Sequence, residues 1–219
     1  MSTRRRPCPC GSGKAMRRCC GVPSSQAKLN LERSARLLAE AGMHAEAAQA
    51  LFERAKLSPH NPMIWNDLGV EYVAAGQSGE AHGAFKRAHR AFPHYPLPLY
   101  NLGRLTIGRC LVEQARQDPS LELTQRWATE AIHYLTESLS RDPLLWHAHW
   151  LLWSAYTVVE DEARSRFHAQ EASRLSPEKG AELKRTLVQR FLRKPGKPPA
   201  WSALPFLLSS GKTITVGTF

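Results

Sequence analysis

Residues 62–95 read PMIWNDLGVEYVAAGQSGEAHGAFKRAHRAFPHY, and the placing of large and small side chains in that stretch decides the fold. Trp65, Leu68, Gly69 and Tyr72 stand three and four residues apart, as one face of a helix requires, and Ala81, Phe85 and Ala88 do so again beyond Gly76. Pro93 closes the second run, because proline has no amide to donate and its ring clashes with the preceding turn. Gly69 and Ala81 are small where the two helices would cross, whereas Tyr72 and Phe85 are large enough to fill the space beside the crossing.

The same punctuation repeats along the chain. Pro59, Pro93, Pro143 and Pro177 each close a helix-like stretch, and the interval from Pro59 to Pro93 recurs from Pro143 to Pro177. That interval equals one helix-turn-helix unit of a repeat array, about 34 residues. Trp65, Leu68, Gly69, Tyr72, Gly76, Ala81, Phe85, Ala88 and Pro93 stand at the signature positions of the tetratricopeptide family, so this stretch resembles a near-consensus tetratricopeptide repeat (TPR). The resemblance implies an all-α fold, a solenoid of about four helix pairs.

Working outward, Gly42, Ala47, Leu51 and Pro59 align with Gly76, Ala81, Phe85 and Pro93 to give a first unit, about residues 28–61, ahead of the second at 62–95. The third, 96–145, carries Leu99, Leu102, Gly103, Ala131, Leu135 and Pro143 and exceeds the repeat by nearly half a unit. Both its helices are expected to be extended, with Asp118-Pro119-Ser120 at the turn and Pro119 at the first helical position. The fourth, 146–179, matches at Leu152, Tyr156, Ala172 and Pro177, with Trp153 in place of the small residue. Residues 178–193 read as a capping helix whose Lys184, Arg185, Arg190 and Arg193 would face water. The array thus spans 25–193, and 194–219 form a proline-rich linker and arm. In the arm, Trp201, Leu204, Phe206, Leu207 and Leu208 are too apolar to be left in water and should pack back on the array or meet a partner. Thr213-Ile214-Thr215-Val216 alternates like a strand with no visible partner.

Residues 1–24 are of another kind. Cys8, Cys10, Cys19 and Cys20 supply four of the chain's five cysteines, in two tight pairs beside Gly11, Gly13 and Gly21. Zinc takes four thiolates in a tetrahedron at roughly 2.3 Å, and glycines permit the sharp bends that such close pairs need. A closed set of four ligands makes a structural site with no open position for catalytic water. The string Cys8-Pro9-Cys10-Gly11-Ser12-Gly13-Lys14 with Arg17-Arg18-Cys19-Cys20-Gly21 resembles the SEC-C motif, the small zinc element at the end of the SecA translocase ATPase and in many unrelated proteins. Two disulfides or a redox dithiol are the competing uses of these thiols. The polar, basic start and the lack of an apolar run long enough for a signal core or a membrane span point instead to the cytoplasm, where disulfides are disfavoured.

Net charge is +11, spread as +7 over residues 1–28, −2 over 29–177 and +6 over 178–219. Arg4, Arg5, Arg6, Lys14, Arg17 and Arg18 are candidates to meet phosphates or an acidic protein, so RNA or the ribosome is an alternative partner. No aromatic residue lies among them to stack on bases, which weighs against reading a single strand by sequence.

Catalysis is not expected. The nine histidines look scattered, with His147 and His149 too close in sequence to share a helix face, and no nucleophile elbow or dinucleotide fingerprint is present. Cys110 reads as a small core residue. What remains is a binding surface. The first helix of each tetratricopeptide pair lines the concave side, which places Arg36, Met63, Asn66, Val70, Tyr100, Arg104, His147 and Trp150 along a groove. Met63, Val70, Tyr100 and Trp150 would contact apolar side chains of a peptide, while Asn66 and Arg104 fix its backbone or an acidic group. The sequence therefore reads as a cytoplasmic, non-catalytic adaptor whose zinc element docks one protein and whose groove holds a peptide of another. A membrane or a small-molecule substrate is not expected.

Overall fold

From Pro62 onward, helices that are apolar nearly all round alternate with helices that are apolar on one face. The structure, a computed structural model, describes residues 25–114, 116–178, 206–207, 209–210 and 213–214. The chain divides into two compact units, Met1–His60 and Asn61–Phe219. The first contains α1 (Ser25–Glu40) and α2 (His44–Lys56), packed on each other with Ala35, Ala47, Ala48 and Ala55 buried.

The second unit holds three further pairs: α3 (Pro62–Ala74) with α4 (Ser78–Ala91), α5 (Pro96–Gln114) with α6 (Leu121–Arg141), and α7 (Trp146–Val158) with α8 (Glu162–Leu175). Successive pairs stack through α4 on α5 and α6 on α7, and α5 also touches both α3 and α7. The first helices therefore form one layer. They are buried on almost every side: in α7 all nine residues from Ala148 to Tyr156 are buried, whereas α4 buries only Ala81, Ala84, Phe85 and Ala88. A helix apolar all round must be covered on both faces, and a one-stripe helix only on one.

Each crossing depends on a missing side chain. A Cβ at Gly69 would lie 2.4 Å from the Phe85 ring, and one at Gly103 would lie 2.5 Å from Leu135. The turns within pairs share one device. Gly42 and Gly76 take positive φ at 75° and 76°, and the next amide reaches back over the turn, Met43 N to Leu38 O at 2.8 Å and Gln77 N to Tyr72 O at 2.7 Å. In the fourth pair Asp161 N reaches Tyr156 O at 3.0 Å in the same way, but the left-handed residue is Glu160 at φ 61°.

The third pair is longer, with 19 residues in α5 and 21 in α6 against 13 and 14 in α3 and α4. Its turn is fixed by Glu113, whose carboxylate accepts from Ser120 N at 2.9 Å and from Arg116 Nη1 at 3.2 Å. Those hydrogen bonds, the Ser120 amide foremost, hold Glu113 below the usual carboxylate range. Ser120 caps α6, its hydroxyl accepting from Leu123 N at 3.2 Å. Pro119 thus precedes the cap and is not the first helical residue as the sequence reading expected; a serine oxygen can cap an amide and a proline ring cannot.

The strand at residue 213 does have a partner, which corrects the sequence reading. Thr213–Ile214 (β2) pairs antiparallel with Phe206–Leu207 (β1), Phe206 opposite Ile214 and Leu207 opposite Thr213. Two residues are too few to show alternation, so β1 read only as apolar chain needing cover. It finds that cover on α3 and α5.

Glu160 carries the steric cost that Gly42 and Gly76 avoid. Glu160→Gly is expected to raise stability by about 0.5–1 kcal/mol, the left-handed penalty less the entropy that glycine loses on folding. Urea denaturation of the full chain measures it, and an unchanged or lowered midpoint would contradict the turn assignment.

Candidate peptide-binding groove

The layer of first helices presents two amides to a passing backbone. Asn101 on α5 treats Leu207 as a neighbouring strand would: its Oδ1 accepts from Leu207 N at 2.9 Å and its Nδ2 donates to Leu207 O at 2.9 Å. Asn66 on α3 donates from Nδ2 to the same carbonyl at 3.0 Å and accepts from Asn101 Nδ2 at 2.9 Å. Both asparagines are fully buried. The clasp leaves neither polar group of Leu207 unpaired, which burial would otherwise penalise by about 1–3 kcal/mol each. Two residues on, Ser209 donates its amide to Asp67 Oδ1 at 2.7 Å and its hydroxyl to Asp67 Oδ2 at 2.5 Å.

Side chains fill what the clasp positions. Phe206, 2% exposed, joins a cluster with Val70, Val73, Ala81, Phe85, Leu102 and Leu105. Its ring lies parallel to that of Phe85, centroids 6.4 Å apart, and the Arg104 guanidinium sits 5.1 Å from its centre. Burial holds the basicity of Arg104 below its ordinary value, with the neighbouring Tyr100 opposing the change. Leu207 enters the other cluster, with Tyr100, Trp150 and Trp153.

Of the residues assigned to a groove by sequence, Asn66, Val70, Tyr100, Arg104 and Trp150 are buried on α3, α5 and α7. His147 is half-buried, against Trp146 at 3.7 Å and edge-on to Tyr100 at 6.0 Å. Met63 stays 52% exposed. Arg36 is exposed on α1, in the first unit. Asn66 meets a backbone, and Arg104 lies against the Phe206 ring. Asn101 and Asp67 were missed. One signal for them exists: they stand one repeat period apart, short polar side chains at the same place in consecutive units. The expected zinc ligands Cys8, Cys10, Cys19 and Cys20, the basic residues Arg4, Arg5, Arg6, Lys14, Arg17 and Arg18, and the expected capping helix from residue 179 onward lie outside the described residues.

Helix pairs of this length, stacked with first helices side by side, define a TPR-type fold. The chain is similar over 80% of its length to MamA 41-end from Desulfovibrio magneticus RS-1, covering 99% of that chain at 16% identity with a TM-score of 0.59. A crystal structure of MamA matches 76% of this chain and 88% of its own at 15% identity and TM-score 0.58. The MamA RS-1 ArsTM double mutant matches 71% and 78% at 19% identity and TM-score 0.58. At such identities the likeness is one of fold. Neither a protein-family profile nor a curated protein sequence matches the chain.

Chemistry elsewhere is muted. Among the described residues no three histidine, cysteine or acidic side chains converge as metal ligands, and no helix is long and apolar enough to cross a membrane. Burial pushes the Cys110 thiol up to about 11, and its Sγ lies 3.5 Å from Thr124 O as a weak donor. The histidines are not all scattered as read. His149 on α7 and His168 on α8 meet Nδ1 to Nδ1 at 2.9 Å, and His149 Nε2 lies 3.3 Å from Pro143 O. A carbonyl only accepts, so His149 carries its proton on Nε2 and accepts from His168 at Nδ1. The Tyr156 ring lies parallel to His168 at 5.4 Å.

Burial first, then the neighbouring imidazole, drive His168 down to about 4, and burial lowers His149, with Glu171 opposing both shifts and Arg174 adding to that of His149. Both rings are therefore neutral in the folded chain, while in the unfolded chain they take up protons near 6.5. Stability from this pair is complete above about pH 6.5 and is lost as pH falls toward 4. The melting temperature of the chain should fall more steeply across that window than that of His168→Gln; parallel curves would show that the pair does not exclude protons.

Proposed function

We propose that this chain is a non-catalytic adaptor whose groove, formed by α3, α5 and α7, holds one extended peptide segment. The observation that supports it is the asparagine clasp: Asn101 and Asn66 engage a backbone N–H and C=O and no side-chain atom of Leu207. Backbone recognition of this kind is indifferent to sequence, and pockets beside it add selectivity. In the structure the chain's own β1 takes that position.

Asn101→Ala is the test. It removes both bonds to the Leu207 peptide group made from α5 and leaves the N–H without an acceptor, a loss of about 2–3 kcal/mol. Because β1 occupies the same clasp and would lose the same bonds, the comparison is made in chains that also carry Phe206→Ala; there, peptides from a degenerate extended library are expected to bind the Asn101→Ala variant about 30–150-fold more weakly by fluorescence anisotropy. Equal affinity would remove the groove from the function.

The second arm of the proposal is the cysteine element. Four thiolates in two pairs form a donor set of the type that holds structural zinc, and Cys8, Cys10, Cys19 and Cys20 would hold it, docking a second protein. Purified chain is expected to contain one zinc per molecule and Cys8→Ser with Cys19→Ser none, by elemental analysis; metal-free parent protein would overturn this arm. RNA or ribosome contact through the basic ends is the alternative, and it would weaken steeply between low and moderate salt.

A further inference from the structure

The segment on the groove has the features of a ligand. It reaches Asn66 across 141 residues of sequence and Asn101 across 106. Its own secondary structure is a ribbon of two residues on two, too small to order itself in water. Its order comes from the surface beneath it.

Each position of the segment meets a different chemistry. Phe206 lies parallel to the Phe85 ring and within cation–π distance of the Arg104 guanidinium, contacts that need an aromatic face; an aliphatic side chain offers neither a stack nor a cation–π contact. Leu207 adds an aliphatic side chain to the cluster containing Tyr100 and Trp150. The next residue but one must bring a hydroxyl and an amide donor to Asp67, which accepts both and would repel an acid. We propose that the groove selects extended peptides of the pattern Phe-Leu-x-Ser, and that residues 206–209 are the chain's own copy of that ligand, competing for the groove from within. This rests on the peptide-binding reading above.

A peptide in place of the arm would meet two further polar side chains on α7. Trp150 Nε1 and Ser154 Oγ, one turn apart on α7, are buried and have no hydrogen-bond partner among the described residues. By the repeat they occupy the places of Asn66 and Val70 on α3, so they continue the same face. A ligand that placed carbonyls against both would gain two hydrogen bonds beyond those of the Phe-Leu-x-Ser core. The arm holds its own advantage by attachment, since a tethered segment competes at an effective concentration on the order of millimolar.

The probe is a fluorescein-labelled synthetic peptide with the sequence of residues 203–212. It is titrated against the full chain and against full-length Phe206→Ala and Ser209→Asp, each checked for helix content by circular dichroism. Both variants weaken the arm, one by emptying its aromatic seat and the other by setting a carboxylate against Asp67. They are expected to bind the probe at least about tenfold more tightly than the parent, and a probe with alanine in place of its phenylalanine should lose about tenfold or more on them. Equal binding of the probe by all three proteins would overturn the competition. Phenylalanine-free decapeptides that bound the variants as well as the probe, in a manner abolished by Asn101→Ala, would overturn the pattern and leave the peptide-binding reading standing. Failure of every decapeptide on both variants would overturn the two together. Light scattering on the same samples reports the remaining arrangement: a parent dimer that Phe206→Ala turned into a monomer would seat the arm in a second copy and overturn competition from within.

Discussion

Two helices approach closely only where one of them gives up its side chain, and the ring of Phe85 lies where a Cβ on Gly69 would have to be. That crossing sets the α3–α4 pair, and its consequences continue outward. Phe85 is held against the helix backbone, and its ring faces the one aromatic side chain of β1. Gly103 and Leu135 repeat the arrangement in the next pair, which fixes α5 against α6 and so fixes where Asn101 and Arg104 stand. The groove is thus a by-product of pair packing: the residue that fills a crossing in one layer forms the floor of the site in the next.

Burial of polar groups gives that site its rigidity. Asn66, Asn101 and Arg104 are buried in a layer that is mostly apolar, and side chains of these types are tolerated there only with partners. The two asparagines bond to each other and to Leu207, so the orientation of each amide is set by the other's demand as well as by that backbone. The bond between the two amides does not involve Leu207, so that part of the geometry does not depend on a ligand. An amide that is held in place loses little freedom on binding, and affinity then follows from contacts more than from ordering costs.

The repeat is legible in the sequence because its cause is local. Gly69, Tyr72, Ala81 and Phe85 answer steric needs within one helix pair, and a constant period carries the need to the next pair. Even the lengthened third unit shows as surplus chain between Pro93 and Pro143, although the choice of Ser120 over Pro119 as helix start turns on one hydroxyl and shows only in the structure. The clasp is another matter. Asn66 reads as a groove residue, but Asn101 acquires its role from a carbonyl 106 positions away, and nothing in its neighbourhood announces that distance. The histidine pair is hidden for the same reason: His149 and His168 lie on opposite helices of a hairpin, and only the turn at Glu160 brings them face to face.

A surface that reads backbone on one side and accepts a strand on the other uses the economy of a sheet without forming one. Asn101 offers Leu207 the donor and acceptor of a missing neighbour strand, while β2 supplies the ladder at the opposite edge. Since those bonds are common to every peptide, they cannot tell one sequence from another, and discrimination falls to the places where side chains are received. Here these are an aromatic seat roofed by a cation whose burial works against its own charge and a carboxylate that accepts two donors at once. Both are unforgiving. An aliphatic residue forfeits the cation–π contact with the buried guanidinium, and an acid beside Asp67 sets like charges in contact, so the proposed groove would exclude at least as strongly as it attracts.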